Sequence, residues 1–283
     1  MKLSRLSDVR NLATSLGFNP SRVLGQNFLI DGNILDIIIG ALALQPEDRV
    51  LEVGPGLGVL TERLLAEAGH LTAIEKDRRL CAHLRDHFEG VEGLELVEGD
   101  ALACGMDQIL AAGITAFASN LPYSVGSRIL VDICTGDALP ERMVVMVQLE
   151  VAQRITARGG DRHNGVLAVA CQLGYDVELI RVVSPNCFWP RPDVRSGIVR
   201  FNRRERGCLT AAQRRHCLAL VKRTFGQRRK QAARLLAAGS TATIEMCQEL
   251  LTELGFDPRS RAEDLGVATW EALSLRLEAP PEA

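Results

Sequence analysis

The chain has 283 residues, 47% hydrophobic and 24% charged, enough for one sizeable core and a smaller second unit. No stretch reaches the roughly 18 consecutive apolar residues of a membrane span, and the start, "MKLSRLSDVRNLATSLGF", alternates charged with apolar residues, so a cytoplasmic globular protein with no membrane partner is expected. The formal net charge of −2 hides an asymmetry: residues 200–234 hold twelve Lys or Arg against Glu205, about +11, which leaves about −13 elsewhere.

The predicted elements follow a βαβ rhythm. Strand-like runs occur at "RVLEVG" (49–54), "HLTAIE" (70–75), "LELVEGD" (94–100), "ITAFASN" (114–120) and "RMVVMVQ" (142–148), with helical stretches between them. "GVLAVACQLGYDVELIRVV" (165–183) reads as a helix then a strand, and "SGIVRF" (196–201) as a closing strand, roughly seven in all. An amphipathic helix starts near Asp31. After Arg203 the β-branched runs stop, and residues 210–275 read as helices, with Thr210 as an N-cap. The expected fold is therefore α/β, a Rossmann-like seven-stranded domain over 1–203, followed by a small all-α domain over 204–283 that ends in the disordered tail "EAPPEA".

The basic block lies at the start of the helical domain. It fits an anionic partner, because neutralising nucleic-acid phosphates releases counterions, and it also fits solvated helix faces. The eight cysteines never fall in a Cys-x-x-Cys spacing, so buried free thiols are expected, and no metal site. His83 and His87 lie one turn apart without an acidic partner and read as an exposed helix face.

In an open parallel sheet, ligands bind beyond the carboxyl ends of the strands. The first such end is "EVGPGLGVLTERLL", where Gly54, Gly56 and Gly58 permit a tight turn before a helix. Val59 stands where a dinucleotide-binding fingerprint wants its third glycine, which disfavours NAD. Glu75 follows Gly54 by 21 residues, Asp100 follows 25 later and Asn120 a further 20. Four polar or glycine ends at this rhythm outline one crevice. The pattern suits S-adenosyl-L-methionine, with glycines under the methionine part, Glu75 on the ribose and Asp100 near the adenine amine.

The fourth end continues as "NLPYSV". An exocyclic adenine nitrogen is a poor nucleophile because its lone pair is conjugated into the ring. The Asn120 side-chain oxygen and the Leu121 carbonyl, both accepting N–H bonds, can hold such an amine with its lone pair aimed at an electrophilic methyl. Pro122 fixes the backbone, and Tyr123 offers a ring for a base taken out of its helix. Alone, the same residues read as a tight turn carrying a tyrosine.

Together, "VLGQNFLID" (23–31), "LEVGPGLGVLT", "AIEKD", "EGDAL", "NLPYSV" and "SRAEDLGV" (260–267) resemble the KsgA family of small-subunit ribosomal RNA adenine dimethyltransferases, over about residues 20–275. The resemblance implies transfer of two methyls to N6 of each of two adjacent adenosines near the 3′ end of small-subunit RNA, in an assembling subunit. It puts donor contacts on Asn27, Leu29, Gly54, Glu75, Asp100 and Asn120, and makes "QNFL" a lid, where the residues alone suggest a hydrophobic staple. It makes Phe188 of "CFWPRPDVRS" a second stacking aromatic opposite Tyr123. Arg228, Arg229 and Lys230 support RNA binding, and a monomer is expected.

Four positions depart from the family pattern. Leu149 replaces a lysine, Asp193 a basic residue and Arg234 a frequent asparagine, and "DRHNG" (161–165) lacks an aromatic. Two alternatives stay open: a related large-subunit methyltransferase conferring antibiotic resistance, which usually has Ile at the position of Leu121, and an RNA-binding assembly factor whose methylation is dispensable or lost.

Overall fold

The computed structural model describes residues 6–15, 27–205 and 209–278. Expectations for residues 23–26, Arg206, Cys208 and most of the tail fall outside them. The chain forms two compact units, one of residues 1–133, 138–152 and 178–203, the other of 134–137, 153–177 and 204–283. The helical unit thus includes segments from the middle of the chain.

The chain opens with α1 (Leu6–Ser15), a two-residue strand β1 (Phe28–Leu29) and α2 (Gly32–Leu42). Asp31 caps α2, accepting from the N–H groups of Asn33 and Ile34. There follow β2 (Arg49–Val53), α3 (Val59–Leu65), β3 (His70–Glu75), α4 (Arg78–His87) and β4 (Leu94–Glu98). Next come α5 (Met106–Ala111), β5 (Ala116–Asn120), α6 (Gly126–Thr135), β6 (Arg142–Gln148), α7 (Leu149–Ile155) and α8 (Val166–Gln172). The long strand β7 (Tyr175–Val183) precedes β8 (Phe188–Trp189) and β9 (Ser196–Arg203).

Seven strands form one sheet in the order β4-β3-β2-β5-β6-β9-β7. β2 pairs in parallel with both β3 and β5, placing Val50 opposite Leu71 and Ala116. β9 runs antiparallel to β6, with Val145 opposite Val199. The central strands are mostly apolar, as expected where both faces are covered: Val50, Leu51, Phe117 and Met143 are wholly buried. The reversal between β2 and β3 on one side and β2 and β5 on the other opens a crevice at their carboxyl ends. At the opposite, amino-terminal edge Asp48 ties strands together, accepting from Thr115 Oγ1 at 2.6 Å and from the Arg142 guanidinium at 2.7 Å.

The short strands were not expected. β1 pairs antiparallel with β8, Phe28 against Trp189 and Leu29 against Phe188. All four side chains are apolar, and Phe28, Leu29 and Phe188 belong to the core cluster beneath α2.

The helical unit contains α9 (Ala211–Phe225), α10 (Ala232–Ala237), α11 (Ile244–Glu253) and α12 (Val267–Arg276). Thr210 caps α9 in a reciprocal box with Gln213. Its core gathers Cys217, Val221, Phe225, Leu236, Leu251 and a fully buried Trp270. Among the described residues no helix is long and apolar enough to cross a membrane, and the seven described cysteines are free thiols.

His83 corrects an expectation. It is buried, not exposed, because it shares a face of α4 with Leu80 and Leu84, and its Nε2 lies 3.4 Å from the Leu57 carbonyl oxygen. His87 remains exposed and stacks on it.

Candidate functional site

A cavity of about 150 Å³ opens at the carboxyl ends of β2, β3 and β5. Its walls include Asn27, Leu29, Gly54, Glu75, Asp100, Asn120, Leu121 and Tyr123, so one pocket gathers every predicted donor-site residue together with the Asn-Leu-Pro-Tyr element. Phe188 is 3% exposed, packed in the core through β8, and stands apart from this lining. Arg228, Arg229 and Lys230 belong to the helical unit.

The floor is backbone. Gly54 and Gly56 adopt φ of +71° and +62°, a left-handed conformation that side chains disfavour. A Cβ on Gly56 would also sit 3.0 Å from the Phe28 ring, which closes over the turn from β1. Of "QNFL", Phe28 and Leu29 thus pack in the core, and the Phe28 ring also lies against the glycine turn.

Glu75 is held before any ligand arrives. Its Oε1 accepts the Lys76 and Asp77 N–H groups, both at 2.8 Å, and its Oε2 accepts the Gly56 N–H at 3.1 Å. Burial pushes its carboxyl up, and the three N–H donors oppose that rise. Asp100 is nearer solvent. Its Oδ2 takes a 2.8 Å ion pair from Lys76 Nζ and its Oδ1 the Leu102 N–H, and these hold its carboxyl below the usual range.

Glu52, at 1% exposure, is the cavity's least expected group. Burial pushes its pKa up to about 8, against a 2.7 Å hydrogen bond from Thr61 Oγ1, and nearby Glu75 adds to the rise. A strand pattern shows an acid at this position and no sign of its burial.

Asn120 Nδ2 donates to the Asn27 carbonyl oxygen at 2.9 Å. That contact defines the amide's orientation, because a carbonyl oxygen can only face the NH₂ side. Neither Asn120 Oδ1 nor the Leu121 carbonyl accepts a hydrogen bond among the described residues. The Leu121 N–H is bonded to the Met146 carbonyl oxygen, which anchors the turn, and Leu121 itself is buried. The Tyr123 hydroxyl lies 2.8 Å from Ser196 Oγ, a partner that no local pattern signals because 73 residues separate the two.

The basic block is divided. Arg200 pairs with Glu178, Arg203 with Glu141, Arg204 with Glu271, Arg215 with Asp137 and Arg228 with Glu263, while Arg214 is buried and donates to the Leu209 and Gly136 carbonyls. Lys222, Arg223, Arg229, Lys230 and Arg234 are exposed and form no ion pair among the described residues. Of the departures, Asp193 is exposed, whereas Leu149 is half-buried and packs toward Gly197.

The model of the ribosomal RNA adenine dimethylase family matches residues 17–275. Among curated relatives, the ribosomal RNA small subunit methyltransferase A of Thermobifida fusca is 39% identical over 95% of this chain and 94% of its own length. The protein of the same name from Opitutus terrae is 37% identical, covering 94% and 96%. Of solved structures, a dimethyladenosine transferase from Plasmodium falciparum superposes with a TM-score of 0.75 at 26% identity, covering 88% of this chain and 96% of that one. The 23S rRNA methyltransferase ErmE gives 0.68 at 27%, covering 89% and 99%. Relatives matching along nearly their whole lengths, on the same Rossmann-like fold, make the chain a member of the ribosomal RNA adenine dimethylase family.

Proposed function

We propose that the protein transfers methyls from S-adenosylmethionine to N6 of two adjacent adenosines near the 3′ end of small-subunit ribosomal RNA, in a subunit still being assembled. The small-subunit relatives support this target, as does Leu121 at the position where large-subunit enzymes usually have Ile.

The pocket's donor set suits an adenosyl ligand. Glu75 offers an immobilised carboxylate to a ribose diol, Asp100 an acceptor for an adenine amine, and the left-handed glycine turn lets a ligand approach the backbone closely. When bound, S-adenosylmethionine supplies a methyl already activated by its sulfonium. The chain's own task is to present the nucleophile. Asn120 Oδ1 and the Leu121 carbonyl take the two N–H bonds of the incoming amine, turning its lone pair out of conjugation. Tyr123 stacks on the extruded base, which needs such a platform once it has left its helix. The helical unit, with Arg229, Lys230 and their exposed neighbours, binds RNA phosphates, and Arg228 contributes less because Glu263 already holds it.

One observation carries this reading: the 2.9 Å bond from Asn120 Nδ2 to the Asn27 carbonyl, which leaves Oδ1 as the acceptor for substrate. Asn120→Ala is expected to lower methylation of undermethylated small subunits by about 100-fold or more. Calorimetry of the same variant is expected to show donor affinity weakened only partly. Undiminished dimethyladenosine formation by Asn120→Ala would falsify the assignment.

A further inference from the structure

Tyr123 follows β5 in the loop and is half-buried. Its far end is tethered. The phenol oxygen is 2.8 Å from Ser196 Oγ, and Ser196 is wholly buried at the start of β9, opposite Gln148 of β6. The ring is therefore held at Cβ by the loop and at the hydroxyl by the sheet, and two fixed points on its long axis restrict its tilt. Burial pushes the phenol up and the Ser196 bond works against that rise, so the hydroxyl stays neutral and able to hydrogen-bond.

Stacking depends on where the ring lies as well as on its presence, since offset face-to-face contact is lost when the ring's long axis swings away from the base. A phenylalanine would offer the same face without the tether. We infer that Ser196 is a positioning residue for RNA methylation, acting through the Tyr123 hydroxyl to fix the ring on which the target adenine stacks. The inference rests on Tyr123 being the base platform of the proposed function. It adds a residue to the site and a reason for tyrosine at position 123.

The test is a double-mutant cycle on undermethylated small subunits with Tyr123→Phe, Ser196→Ala and the double variant, alongside Tyr123→Ala. Losing one hydrogen bond that orders a ring is expected to raise KM for the subunit roughly threefold to tenfold in each single variant, with kcat changed less. The double variant should be no worse than either single, because both substitutions remove the same contact. Donor affinity measured by calorimetry, without RNA, should equal that of the unmodified protein in all three. A normal KM in Tyr123→Phe, or effects that multiply in the double variant, overturns the inference, and the Tyr123→Phe arm decides even if Ser196→Ala folds poorly. Tyr123→Ala separates this failure from that of the underlying reading. If Tyr123→Ala methylates normally, Tyr123 is not the platform and the base site of the proposed function falls as well. If it loses activity while the conservative variants do not, only the role of Ser196 falls.

Discussion

The cavity and the basic face of the helical unit handle polar groups in opposite ways. In the cavity each side chain given a task in the proposed reaction is held by a contact: Glu75 by three N–H groups, Asn120 by the Asn27 carbonyl, Tyr123 by Ser196, and Asp100 by Lys76 and the Leu102 N–H. On the helical unit, five cations including Arg229 and Lys230 are exposed and form no ion pair among the described residues. Directional chemistry needs atoms placed in advance, whereas phosphate neutralisation needs only charge within a Debye length. Substitutions in the two regions should therefore fail differently, steeply and independently of salt in the first, gradually and with salt in the second.

The steepest effect after Asn120 is expected at Glu75. Glu75→Ala removes the immobilised carboxylate and should weaken S-adenosylmethionine binding about 10- to 100-fold, the worth of one or two charge-assisted hydrogen bonds. Calorimetry at low and high salt should give the same ratio, and a ratio that collapses in salt would erase the contrast between the regions. Next in size, Arg229→Ala with Lys230→Ala should weaken binding to small subunits by about tenfold and lower the slope of log K against log salt by about 2. Arg228→Ala should cost less, since its partner Glu263 lies 2.7 Å away.

A separate effect, outside the binding contrast, concerns stability. The Glu52 pKa rises from its ordinary 4.5 to about 8 in the folded chain. Between those values the folded protein keeps a proton that the unfolded chain has released, so stability falls as pH rises through this window and the full penalty applies above it. Glu52→Gln removes the linkage. Its melting temperature should exceed that of the unmodified protein by roughly 10 °C near pH 9 and match it near pH 4. Parallel pH profiles for the two proteins would show that Glu52 does not titrate this way.

Much of this architecture can be read from residue patterns. The parallel strands are runs rich in apolar residues, and a glycine, acid or amide stands at or just after the end of each at a regular interval, so β2, β3, β4 and β5 and the ends that line the cavity could be placed from spacing. Thr210 and Asp31 reveal their helix starts by local capping chemistry. Contacts between distant segments leave no such mark. Ser196 and Tyr123 are 73 residues apart and Asn27 and Asn120 are 93 apart, and nothing at either end specifies the other. The same holds for β1 and β8, each two residues long and too short for any period. The basic block illustrates the converse. Its charge density is plain in the sequence, but which cations are engaged depends on acids such as Glu141, Glu178, Glu263 and Glu271 elsewhere in the chain.

The account stands or falls on where methyl groups go. The direct measurement is to incubate the protein and labelled S-adenosylmethionine with undermethylated small subunits, and separately with undermethylated large subunits, and to map the label. The expected result is label on N6 of two adjacent adenosines near the 3′ end of the small-subunit RNA and none on the large subunit. Label confined to large-subunit RNA, or tight binding to small subunits with no label on either, would contradict it.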